Sequence, residues 1–141
     1  GIVTPHNAQR GLLKNEIGED ADIDTVERYQ GGERDLIIVS GTASDRESIR
    51  KKHDFILNPN RLNVAMSRMK KKLIVVASRA MFEVIPTDAE DYEDALLWRG
   101  LYHEVGADQN DPLWSGQLSE LIEGESGESI EDAHIDVYSG S

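Results

Sequence analysis

The sequence predicts an α/β domain: a mostly parallel sheet with helices on both faces. Two observations predict it. Leu36-Ile37-Ile38-Val39-Ser40 and Leu73-Ile74-Val75-Val76-Ala77 are continuous apolar runs, the pattern of strands buried on both faces. Helical stretches separate the strand-like runs, the order expected when crossovers join parallel strands.

The elements follow in order. Gly1–Thr4 is a short β-rich run stopped by Pro5. Asn7 is placed to cap a helix through Ala8–Lys14, and Gly18-Glu19-Asp20 breaks it. Ile23–Val26 is a second short strand, and Tyr29-Gln30-Gly31-Gly32-Glu33 a turn whose glycines allow unusual backbone angles. Thr42–Asn58 is polar and basic, a loop. Pro59-Asn60 leads into a helix over Arg61–Met69, followed by the strand Leu73–Ala77 and a short helix Arg79–Val84 ended by Pro86. Asp88–Val105 carries Tyr92, Ala95, Leu96, Leu97, Leu101 and Tyr102 close to helical spacing, with Leu113–Ile122 as one more short helix. From Glu123 on, Gly, Ser, Glu and Asp dominate, and the composition predicts disorder.

The 141 residues suffice for one domain with a core. The absence of cysteine excludes disulfides, thiolate metal sites and thiol catalysis, and fits a cytoplasmic protein. His6, His53, His103 and His134 are too scattered for a short metal-ligand motif. No apolar run reaches the ~20 residues of a membrane helix. Gly1 stands where a Met would start a complete chain, so the sequence reads as an excised piece. The net charge of −12 argues at first against nucleic acid. It is unevenly spread, however: residues 1–86 hold 14 Lys/Arg and 12 Asp/Glu, and residues 87–141 hold 1 and 15. The first part can therefore still meet a phosphate backbone, while the acidic part could bind a basic partner.

Three segments carry candidate chemistry. In Gly1-Ile2-Val3-Thr4-Pro5-His6-Asn7-Ala8-Gln9-Arg10 a strand end delivers a polar turn and then a helix, and ligands of open α/β sheets sit at such strand ends. Arg10 could reach a phosphate there. In Asp24-Thr25-Val26-Glu27-Arg28-Tyr29-Gln30-Gly31-Gly32-Glu33-Arg34-Asp35 the glycines let the backbone approach an anion. Thr25 can give a hydroxyl to a phosphate oxygen, and Glu33 can accept from a ribose. In Arg61-Leu62-Asn63-Val64-Ala65-Met66-Ser67-Arg68-Met69-Lys70 the residues Leu62, Ala65 and Met69 share one helix face, and Arg68 near the helix end can project across a cleft. Taken singly, each segment also fits an ordinary turn, hairpin or amphipathic helix.

Together, in this order and spacing, they resemble motifs IV, V and VI of superfamily 1 helicases, in the branch holding the Upf1-like and Dna2-like enzymes. Val26-Glu27-Arg28-Tyr29-Gln30-Gly31-Gly32-Glu33-Arg34-Asp35 and Leu62-Asn63-Val64-Ala65-Met66-Ser67-Arg68 carry the resemblance, which covers about residues 1–82. It implies a RecA-like P-loop NTPase fold, second motor domain, over residues 1–86; beyond it, spacing and composition suggest an acidic helical extension over 87–123 and a disordered tail over 124–141. It implies ATP with Mg2+ as cofactor, held mainly by a first RecA-like domain, since no phosphate-binding loop motif occurs in this chain. By the same resemblance Arg68 is an arginine finger and Arg10 the motif IV arginine. Gln9, Gly32, Glu33 and His6 would contact the nucleotide, although the family often has tyrosine at the His6 position. Thr4, Thr25 and Asn63 would contact a single strand of DNA or RNA. The alternative is a binding module derived from this fold, without catalysis.

Overall fold

The computed structural model describes residues 1–29, 32–41, 49, 58–85, 89–107, 110–121 and 133–140. They form two compact units, Gly1–Arg99 and Gly100–Ser141.

The first unit is built on four parallel strands: β1 (Ile2–Thr4), β2 (Ile23–Thr25), β3 (Arg34–Ser40) and β4 (Met69–Val76), in the order β2-β1-β3-β4. This is the parallel α/β arrangement expected, and it fits a RecA-like helicase fold. The central strand β1 is buried throughout, pairing Val3 with Asp24 on one side and Val39 on the other. Val3, Ile23, Ile37 and Met81 form the heart of the core.

Helix α1 (Asn7–Ile17) packs on β1 and β2. His6, not Asn7, holds the N-cap position, and its carbonyl accepts from Arg10 N and from Thr4 Oγ1. The helix ends at Gly18, whose φ of 72° a residue with a Cβ adopts only at a cost. Helix α2 (Pro59–Met66) packs on β3 and β4. Its start is well specified: Asn58 accepts from Asn60 N at 3.0 Å, and proline holds the first helical position.

Three sequence expectations shift here. Helix α2 stops at Met66, three residues earlier than expected, because Ser67 Oγ donates to the Val64 carbonyl and Arg68 N to that of Ala65. Arg68 therefore lies in a turn, and β4 begins at Met69 rather than Leu73. Lys70 and Lys71 join the strand because Glu33 and Asp35 pair with them across the edge, at 3.5 and 2.6 Å. Nor are β3 and β4 closed on both faces: Leu36, Ile74 and Val76 are exposed. The loop expected over Thr42–Asn58 lies outside the described residues apart from Ile49 and Asn58, as do Pro86 and Asp88.

Helix α3 (Arg79–Glu83) places Met81 in the core, and α4 (Ala89–Glu104) follows. Trp98 is buried on α4, its ring 6.1 Å from that of Phe82. No helix among the described residues is long and apolar enough to cross a membrane.

In the second unit, β5 (Trp114–Gln117) and β6 (His134–Val137) form an antiparallel ribbon, with α5 (Leu118–Leu121) after β5. The helix expected over Leu113–Ile122 is thus half strand, since Ser115-Gly116 disfavours a helix. Within residues 124–141, where the composition suggests disorder, His134–Val137 form a strand in which polar and β-branched residues alternate. There Ser115 Oγ donates to Asp136 Oδ1 at 2.7 Å and lies 2.9 Å from His134 Nε2. Residues 124–132 of that tail lie outside the described residues.

Candidate functional site

Every strand of the sheet runs the same way, so the first unit has a carboxyl edge (Thr4, Thr25, Ser40, Val76) and an amino edge (Ile2, Ile23, Arg34, Met69). The predicted site residues divide between them.

At the carboxyl edge β1 delivers Thr4, His6 and Gln9 in the strand–turn–helix passage. Gln9 Nε2 donates to Ser40 Oγ at 2.7 Å, tying α1 to the end of β3. Beside this turn lies a small, mostly apolar hollow bordered by Pro5, Val26, Gly41, Leu62, Met81 and Trp98. Thr4 is 0% exposed and its hydroxyl holds the turn by donating to the His6 carbonyl at 3.1 Å. The hydroxyl that the resemblance would bring to a nucleic-acid phosphate faces inward in this conformation. Its register partner Thr25 is 4% exposed, so this conformation presents little of its hydroxyl. Asn63 on α2 is exposed.

At the amino edge Gly32, Glu33 and Arg68 come together. Gly32 has φ 51°, and the next residue, Glu33, pairs with Lys70 two positions after Arg68. The Arg68 carbonyl accepts from Arg34 N at 2.9 Å, which pins the turn to the start of β3. Arg34 in turn donates to Asp22 at 2.9 Å.

Arg10 stands between the edges. Its Nε lies 2.8 Å from Asp24 Oδ1 on β2, with both side chains about one quarter exposed. The N–H is not aligned with that oxygen, and Nε counts among the buried atoms without a hydrogen bond. The contact is thus one of charge rather than a formed hydrogen bond. No hydrogen bond or ion pair among the described residues joins Arg10 to Arg68.

Buried polar atoms normally find a partner, so exceptions need a reason. Five buried side-chain atoms among the described residues lack one: Gln9 Oε1, Arg10 Nε, Tyr29 Oη, Arg68 Nε and Gln117 Oε1. Three belong to residues singled out from the sequence as ligand contacts. No cluster of His, Asp or Glu able to hold a metal occurs among the described residues. Sequence reasoning missed Asp24 and Ser40, the side chains that hold Arg10 and Gln9. Their only signal was an acidic and a hydroxyl residue at the ends of strands.

A family profile described as AAA domain matches residues 1–80. The chain is 40% identical over 88 residues to the DNA replication ATP-dependent helicase/nuclease JHS1 of Arabidopsis thaliana, covering 61% of the chain and 6% of that protein. It is 37% identical over 83 residues to the DNA polymerase alpha-associated DNA helicase A of Saccharomyces cerevisiae, covering 55% and 12%. It is 34% identical over 88 residues to the Drosophila melanogaster homolog of regulator of nonsense transcripts 1, covering 55% and 7%. The chain spans a small part of each relative's length. With a profile matching more than half of its residues, the chain belongs to the AAA domain family.

Proposed function

We propose that this chain is the second RecA-like motor domain of an ATP-dependent superfamily 1 helicase or translocase, carrying motifs IV, V and VI. The order and spacing of the segments that hold Arg10, Glu33 and Arg68, in a chain whose residues 1–80 match the AAA domain profile, carry this reading. In it the first motor domain of the same protein holds ATP and Mg2+, and this domain closes on the triphosphate from the other side. The ATP supplies the phosphoanhydride that is cleaved. The part played by this chain is to bring guanidinium groups to the charge that develops on the transferring phosphoryl group.

Arg68 is the arginine finger and Arg10 the second cation. Arginine suits the task because its planar fork matches phosphate oxygens, which a lysine ammonium cannot do. Gln9 and His6 contact the nucleotide from the first turn of α1, and the Gly32 backbone and Glu33 approach it from the amino edge. The strand is gripped through its backbone, without reading sequence. Asn63 is the exposed candidate for such a contact.

The whole activity requires both domains, since the ligand is shared between them. The test is ATP turnover by the full-length protein with and without single-stranded DNA or RNA. Stimulation by at least one of them is expected, with no turnover by the isolated chain. Failure of both nucleic acids to stimulate a protein that binds ATP would refute the motor reading and favour a module that binds without catalysis.

A further inference from the structure

We infer that Asp24 is a positioning residue for Arg10, its fixed negative charge drawing the guanidinium toward β2 from the side of the inner nitrogen. The inference rests on the proposed role of Arg10 and deepens it. Asp24 is not among the candidate ligand contacts.

Three features support it. The nearest approach of the carboxylate to Arg10 is at Nε, the nitrogen next to the arginine stem, 2.8 Å away. A carboxylate that took the fork itself would compete with a ligand, whereas one behind it sets direction. Next, Asp24 Oδ1 also accepts from Thr25 N at 2.8 Å. That bond fixes the carboxylate to the backbone of β2 whether or not Arg10 is engaged, so it acts as a rigid post. Finally, Arg10 is a long, rotamer-rich side chain on a helix with no fully buried residue. Without a nearby anion its guanidinium would sample many directions, and ordering it would cost entropy at the moment of closure. A charge that pre-orders it removes that cost before ATP arrives.

The test is a double-mutant cycle on ATP turnover in the full-length protein. Asp24→Asn keeps an oxygen to accept from Thr25 N and removes only the charge. It is expected to lower kcat by about 10- to 100-fold, the scale of a misdirected catalytic group, with little change in KM for ATP. Asp24→Glu should recover part of the loss. In an Arg10→Ala background the same Asp24→Asn change should have no further effect, because the group it positions is gone. Equal losses in both backgrounds, or no loss in either, would overturn the inference. Unchanged turnover in Arg10→Ala alone would instead remove Arg10 from its proposed role, a separate failure. A thermal melt of each variant shows whether a loss comes from unfolding, which would appear in both backgrounds.

Discussion

Arg68→Ala is expected to silence ATP turnover while leaving the fold almost as stable as before. Both halves of that expectation come from the structure. The bond that anchors the Arg68 turn is made by its backbone carbonyl, accepting from Arg34 N, so truncating the side chain leaves it in place. The side chain contributes a buried Nε with no hydrogen bond, a deficit of about 1–3 kcal/mol that disappears with the group. Against this stands the packing of a half-buried aliphatic stem, worth roughly 1 kcal/mol at ~0.8 kcal/mol per fully buried methylene. The two nearly cancel, and the net change should lie within about 2 kcal/mol of zero. Turnover, by contrast, should fall roughly 10³- to 10⁵-fold if Arg68 stabilises the transferring phosphoryl group. The assay pairs a denaturant titration with steady-state ATP hydrolysis, both on the full-length protein. Arg68→Lys is the control: it keeps the charge, loses the planar fork and should recover little activity. A stability loss above about 3 kcal/mol would show that Arg68 holds the fold, since losses that large come from a short list of structural causes. Unchanged turnover would refute its assignment to the reaction.

Two further outcomes follow from single residues. The Tyr29 phenol is 3% exposed, and its buried hydroxyl lacks a partner and lies against Gly1. Burial raises its pKa above the ordinary tyrosine value. The unfolded phenol ionises first as pH climbs through about 10, so stability is intact below that point and lost above it. Tyr29→Phe should remove this alkaline loss and stabilise by about 1 kcal/mol at neutral pH, and an unchanged slope in denaturation midpoints on the alkaline side would contradict it. Gly32→Ala should cost about 1 kcal/mol for its positive φ, and should lower ATP turnover by displacing the adjacent Glu33. Among the described residues beyond its chain neighbours, only the movable end of Arg34 would touch the added methyl, at 3.3 Å, so a melt showing stabilisation would mean the turn is free to change shape.

Much of this was legible from the residues alone, for reasons that differ by element. β1 was legible as a short β-rich run stopped by Pro5 and β3 as a continuous apolar run, although only the face with Ile37 and Val39 is buried while Leu36 is exposed. β4 was read four residues short because its first half is lysine. Its pairing there rests on acidic partners carried by Glu33 and Asp35, which periodicity along one strand cannot reveal. The position of Arg68 was misjudged for a related reason. The helix pattern ran through Met69, but the hydroxyl of Ser67 turned back on Val64 and released the chain into the sheet. β6 was missed because an average over an acidic, glycine-rich tail hides four alternating residues. Within the site, the residue types were legible and their companions were not. Asp24 meets Arg10, and Ser40 meets Gln9, through three-dimensional neighbours that lie 14 and 31 positions away.

The asymmetry of β4 has a consequence for the domain handled on its own. Among the described residues it is a border strand, and its backbone is open to recruitment by another chain. Lys70, Lys71 and Lys72 guard its first half by charge, so a second copy laid alongside would meet repulsion there. Ile74 and Val76, both exposed, carry no such guard. Self-association should therefore start at that end and grow with ionic strength as the lysine repulsion is screened, and a lysine at position 76 would oppose it.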